Sequence, residues 1–138
     1  MELASLPFAL GAIALAACAT PKELPGCRNH ECIALGERQV LMTGVAVTPL
    51  SVVEDSRCAI EVDCVWAGRV IVQAQVELEH ELVTVALDSS APLHINAGML
   101  SIAEIAPDKS INWQIEPENY RFAFTFVPDI MESPKTGN

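Results

Sequence analysis

Apolar and polar positions alternate most cleanly along residues 69–79. Val70, Val72, Ala74, Val76 and Leu78 take one side, and Arg69, Gln73, Gln75, Glu77 and Glu79 take most of the other. Successive side chains of a strand point to opposite faces, so this period of two predicts a strand with one face in a core and one in water. Val83, Val85 and Leu87 resume the alternation after Glu79, His80 and Glu81, which predicts a hairpin although the connection holds neither Gly nor Asn. Upstream, the run 39–47 is apolar on both sides: Leu41, Thr43, Val45 and Val47 alternate with Val40, Met42, Gly44 and Ala46. It reads as one interior strand that Pro49 ends. Downstream, Asn96, Ala97 and Gly98 mark a turn, and residues 99–105 form a short strand closed by Pro107 and Asp108. Tyr120, Phe122, Phe124 and Phe126 then place four aromatics on one face of a last strand, stopped by Pro128.

No segment beyond the first eighteen residues keeps a 3.6-residue apolar period. Several strands at short spacing, punctuated by Pro and Gly, predict an all-β domain over residues 39–128, a small antiparallel β-sandwich or a partly open barrel. A chain of 138 residues with 51% apolar content supplies one core of ordinary size, hence one domain. There is no internal repeat. Residues 129–138 are polar and contain Pro and Gly, and they are expected to fray.

The first seventeen residues break the strand pattern. They form an apolar run that is short for a permanent membrane span and stops at the polar stretch Thr20, Pro21, Lys22, Glu23. Its end, Leu15-Ala16-Ala17-Cys18, resembles the lipobox of bacterial lipoproteins. That resemblance implies a signal peptide over residues 1–17 and a diacylglycerol on the Cys18 thiol, which becomes the first residue of the working protein. The segment departs from the usual export signal in carrying no Lys or Arg. Residues 18–38, with Pro21, Pro25 and Gly26, then read as a lipidated tether that includes a cystine loop. Acyl chains contribute about 0.8 kcal/mol per buried methylene, so several of them anchor a protein stably. The expected location is the cell envelope, at the periplasm-facing side of an outer membrane.

Charge narrows the partners. Without Glu2, seventeen acids stand against eight bases, a net charge of −9. Such a surface repels phosphate backbones, so no nucleic-acid partner is expected. Expected partners are the membrane, through the lipid on Cys18, and an envelope protein.

Four further cysteines form two close pairs, Cys27 with Cys32 and Cys58 with Cys64. An exported protein sits where thiols oxidise, and this spacing favours the two local disulfides among the three possible connectivities. The competing reading is a metal or redox site built on Cys27, His30 and Cys32. That spacing is not CxxC, and no matching CxxC or HxxxH lies downstream, so neither a metal nor a cofactor is expected.

One string stands out as a unit: Asp55-Ser56-Arg57-Cys58, five residues, Cys64, then Val65-Trp66-Ala67-Gly68. It resembles a motif of an uncharacterised family of small bacterial lipoproteins and exported proteins, in which Asp-Ser-Arg-Cys is followed by a second Cys and Trp-x-Gly. The resemblance extends from about Val45 to Phe126, and Ala59 stands where the family commonly has proline. It implies a fold and an envelope location, and no activity.

Physically, Asp55 and Ser56 suit the backbone donors of a cystine loop, and Arg57 suits a forked pair with Asp55 or Asp63. Trp66 is expected to pack as an apolar plate over the Cys58–Cys64 staple, and Gly68 to allow a bulge or a close backbone approach before the long strand. The alternative reading makes the loop a recognition edge, in the manner of protease inhibitors, with Arg57, Glu61 and Asp63 displayed beside Trp66 on a rigid ring.

Catalytic signatures are missing. There is no GxSxG and no GxxxxGK[ST], and His80-Glu81 is followed by Thr84 where a zincin needs its second histidine. The three histidines are scattered, and a solvated hairpin accounts for Glu79 and Glu81. The chain is therefore expected not to be an enzyme. Metabolic labelling with an alkyne palmitate tests the anchor: the wild-type chain should be tagged and a Cys18→Ser variant should not. Equal tagging of the two refutes lipidation at Cys18.

Overall fold

The computed structural model describes residues 26–96 and 98–129. Residues 1–17, expected from the sequence to be a signal segment, Cys18 and the tail from 130 onward lie outside them. Among the described residues, seven strands run in the order β1 (Gln39–Met42), β2 (Val45–Asp55), β3 (Val70–Leu78), β4 (Glu81–Asp88), β5 (Leu93–Ile95), β6 (Gly98–Ala106) and β7 (Arg121–Pro128). A 3-10 turn, Pro117–Asn119, leads into β7. β1 to β4 form one antiparallel sheet in sequence order, and β5 to β7 form a second. The domain is an open β-sandwich, and the barrel alternative does not apply.

The alternation read from the sequence is the core. Val70, Val72, Ala74, Val76 and Leu78 of β3 are all buried, and with Val45, Val47 and Leu87 they meet Leu100, Tyr120, Phe122 and Phe124 of the other sheet. Phe122 lies between Tyr120 and Phe124 with ring centroids 5.7 and 6.1 Å away. Phe126, the fourth aromatic of that face, packs at the edge of the cluster, only partly buried. The 79–80 connection does close a hairpin, with Leu78 opposite Glu81. Without Gly or Asn there, Glu79 itself takes the left-handed backbone, φ 41°, and its N–H donates to the Gly44 carbonyl at 2.7 Å.

Two boundaries differ from the sequence reading. The 39–47 run is two strands, because Gly44 adopts φ 80° and turns the chain so that Met42 lies opposite Val45. A run apolar on both faces hides such a turn, and only the glycine marks it. Pro49 does not end a strand either; it is buried within β2, opposite Ala74. Its carbonyl accepts from Gly36 N on the side where β1 has already stopped. The N and C=O of a strand residue point the same way, so the missing N–H of Pro49 costs the ladder nothing. The three-residue strand β5, which pairs with the start of β6, is too short to show a period.

The packed body begins ahead of β1: Ile33 and Phe122 exchange backbone hydrogen bonds of 2.8 and 2.9 Å, and Ile33 and Leu35 lie against the core. The two ends of the sandwich are unlike. One carries the turns at 43–44 and 79–80, Asn96 and the end of β7. The other carries the Cys27–Cys32 loop, residues 56–69 and residues 107–120. Truncating the central ring, Phe122→Ala, should cost about 3–5 kcal/mol, read as a lower denaturant midpoint. An unchanged midpoint would show that the aromatic stack is not the core's centre.

Candidate functional site

The candidate loop, residues 56–69, joins the end of β2 to the start of β3 and is fixed at three levels. At its root, the Asp55 carboxylate accepts from Arg57 Nε at 2.9 Å, Arg57 Nη2 at 2.8 Å, Arg57 N at 3.2 Å and the Tyr120 hydroxyl at 2.9 Å. The remaining Arg57 nitrogen donates to Pro107 O at 3.1 Å, and Lys109 Nζ to Asp55 O at 2.8 Å. The Asp55 and Arg57 side chains are 10% and 17% exposed. Burial works to raise the Asp55 carboxyl, but the hydrogen bonds from Arg57 and Tyr120 and the charge of Arg57 outweigh it and hold the group below its ordinary value. Burial, then the bond to Asp55, push the Tyr120 phenol up to about 12. Of the two forks considered for Arg57, the structure forms the one to Asp55.

At the neck, the two strands of the loop touch. Ser56 N donates to Arg69 O at 2.9 Å, and Arg69 N donates to Ser56 Oγ at 3.1 Å. A Cβ on Gly68 would lie 1.7 Å from the Ser56 carbonyl oxygen, so the close backbone approach expected there is present. At the tip, Cys58 and Cys64 are joined with Cα atoms 5.9 Å apart. Glu61 reaches across to residues 110–112: its carboxylate accepts from the Ser110 hydroxyl, from Ile111 N at 3.1 Å and from Asn112 Nδ2 at 3.0 Å. The Ser110 hydrogen bond chiefly holds the Glu61 carboxyl below its ordinary range. Ile60 N donates to Lys109 O at 2.9 Å, which completes the seam.

These contacts correct the set of displayed residues. Arg57 is turned to Asp55 and Pro107, and Glu61, although exposed, is tied to residues 110–112; of the three charged groups expected on the ring, only Asp63 makes no hydrogen bond among the described residues. The expectation for Trp66 is also overturned. Trp66 is 83% exposed and Val65 is 89% exposed. The physical reason is that the disulfide itself sits at the surface, with Cys64 exposed, so it offers no shelter for an indole. The aromatic stack already fills the interior at this end. Ile60, Val62, Ile111 and Trp113 are exposed as well. The loop thus uses Glu61 as a clasp and presents Asp63 together with aliphatic and indole groups to solvent. Ile111 and Trp113 went unread in the sequence; a tryptophan in the pattern-free stretch 107–117 was the available signal.

The second loop has a different character. Cys27 and Cys32 are joined, with Cα atoms 5.8 Å apart. His30 Nδ1 lies 3.1 Å from the Glu104 carboxylate, which also accepts from the backbone N–H groups of Arg28 and Asn29. Arg28 pairs with Asp108 at 2.8 Å. Both thiols are consumed by each other and the imidazole turns to Glu104, so the residues of the metal reading are engaged elsewhere. Among the described residues, no group of three His, Cys, Asp or Glu side chains could hold a metal ion.

Neither a family model, a curated protein nor a solved structure matches the chain.

Two outcomes separate scaffold from display. Asp55→Asn leaves a partly buried guanidinium without its counter-charge and should cost about 3 kcal/mol. Because the folded Asp55 pKa is lowered, its contribution is complete above the ordinary carboxylate value and disappears as pH falls through the folded value. The Asn variant should lack that part of the acid-unfolding slope. Tyr120 acts with the opposite sense, its contribution disappearing as pH rises from about 10 to about 12. By contrast, Trp66→Ala should change stability by no more than about 0.5 kcal/mol, as surface substitutions do. A loss near 3 kcal/mol on thermal unfolding would restore Trp66 to the scaffold.

Proposed function

We propose that this chain is a lipid-anchored cell-envelope protein that works by binding, with the Cys58–Cys64 loop and the adjoining residues 109–113 as its contact surface. The observation that carries the reading is the exposure of Val65 and Trp66 on a loop whose backbone is fixed by a disulfide, the Ser56–Arg69 neck and the Glu61 clasp. A large apolar side chain held in water on an ordered backbone loses little conformational entropy on binding. Tryptophan is also the residue most enriched among side chains that dominate interface energy. The anchor half of the reading rests on Leu15-Ala16-Ala17-Cys18.

A recognition module resembling loop-type protease inhibitors is the second reading. It draws on the same rigidity, with Ile60 to Val62 as the presented segment. It requires that segment to enter a protease cleft, whereas Ile60 N and the Glu61 side chain are already tied to residues 109–112. The broader contact surface is therefore favoured.

A photo-crosslinking amino acid placed at Trp66 and, separately, at the exposed Leu82 of β4 tests the assignment in intact cells. Adducts with envelope material should form from position 66 and not from position 82. Equal labelling at the two positions would remove the loop from its proposed role.

A further inference from the structure

We propose that the apolar tip formed by Ile60, Val65, Trp66, Ile111 and Trp113 lies in the interfacial zone of the bilayer that carries the acyl anchor. The membrane is then both the support and the ligand of this surface. The inference rests on the lipid-anchored reading above, and its first support is the position of the described chain's first residues. The Cys27–Cys32 loop is stitched to Glu104 and Asp108. Asp108 adjoins Lys109, whose carbonyl accepts from Ile60 of the other cystine loop. The lipid-ward end of the domain and the apolar tip are therefore one end of the sandwich, and β7 leaves at the opposite end.

Tether length turns this coincidence into a constraint. From Cys18 to Gly26 the chain advances eight residues, since 26 − 18 = 8. At no more than about 3.6 Å each, they reach about 29 Å at full extension. The near end of the domain is thus confined close to the bilayer, and a protein partner would have to enter that gap from the side. Confinement also raises the effective concentration of the tip at the surface to the millimolar range, so a weak insertion suffices.

The chemistry of the tip fits an interface. Both tryptophans of the chain are at this end and both are exposed, Trp113 to 48%. Indole combines an apolar body with an N–H donor and prefers the headgroup level of a bilayer, while Val65, Ile60 and Ile111 supply aliphatic surface to sink below it. The cations at this end are each paired within the protein: Lys109 is turned to the Asp55 carbonyl, Arg57 to the Asp55 carboxylate, Arg69 to Glu54 and Asp88, and Arg28 to Asp108. With a net charge of −9 behind it, the tip should prefer zwitterionic lipid to anionic lipid.

The test uses the full acylated chain reconstituted into phosphatidylcholine vesicles, with and without brominated acyl chains. Its two tryptophans are the probes. Flotation reports the anchor, and tryptophan emission reports the tip. The expected result is flotation together with a blue-shifted emission that brominated lipid quenches. Quenching should weaken when phosphatidylglycerol replaces part of the phosphatidylcholine. A Val65→Asp variant keeps both tryptophans and should still float but lose most of the quenching. Flotation with an unshifted, unquenched emission overturns the tip proposal and leaves the anchor standing. A chain that does not float, and whose mass shows no acyl group, overturns the anchor reading and this proposal with it. Emission that stays unquenched in vesicles and shifts only when envelope protein extract is added assigns the tip to a protein partner and likewise overturns it.

Discussion

The carboxylate of Asp55 holds the two sheets together at the end where everything distinctive about this protein is found. Asp55 closes β2 in one sheet; Tyr120 opens the approach to β7 in the other; Arg57, pinned to Asp55, reaches Pro107 just beyond β6. Burial of the valines of β3 against Phe122 and Phe124 supplies most of the stabilising free energy, yet apolar burial is non-directional. A ladder of similar aliphatic side chains can slide against an aromatic stack at modest cost. Four donors converging on one carboxylate cannot be satisfied in a shifted arrangement, and an unpaired group at that depth is costly. The network therefore selects one relative placement of the sheets, and with it the height at which the cystine loop stands.

That placement explains how a fourteen-residue crossing without regular structure, 56–69, stays ordered while leaving its largest side chains in water. Except for the exposed Asp63, the charged groups expected on display are used within the fold. Asp55 and Arg57 fix the root, Ser56 and the backbone of Arg69 close the neck, and Glu61 ties the tip to residues 110–112. The disulfide adds a short covalent ring, and short rings constrain the unfolded chain less than long ones. The hydrogen-bonded seam to residues 109–112 consequently matters as much to the loop as the staple does.

The sequence made legible those elements whose signal is local and periodic. β3, β4 and the aromatic face of β7 follow from alternation, β6 from the turn signals on either side of it, and the all-β sandwich from their spacing. Where both faces are apolar the period carries less information, which is why the turn at Gly44 was absorbed into one strand. Pro49 was misread because a strand tolerates proline wherever its N–H would point past the end of a neighbour, a fact of topology that no local pattern encodes. Trp66 shows a further limit. Large aromatics beside a disulfide are ordinarily core residues, and only the position of that disulfide, at the rim and in water, reverses the expectation. The fork from Arg57 to Asp55 and the close approach at Gly68 were readable because geometry at such short range leaves few alternatives. The clasp from Glu61 to Ser110 spans 49 residues and left no local trace.

Exposed indole and aliphatic groups carry a cost of their own, since contiguous apolar surface promotes self-association. Two features of this chain work against that outcome without covering the tip. The first is the acidic charge, −9 beyond residue 17, which sets copies of the domain against one another at the distances where apolar contact would begin. The second is rigidity: a tip whose backbone is fixed cannot rearrange to zip onto a neighbour's edge strand, as flexible apolar segments do. The same two features restrict what the tip can bind. An acidic field disfavours anionic surfaces, and a tip with a fixed backbone suits a yielding surface better than a shaped cleft. A composition that keeps copies apart and a backbone that refuses to remodel thus leave a soft, uncharged, apolar interface as the environment in which these side chains lose least and gain most.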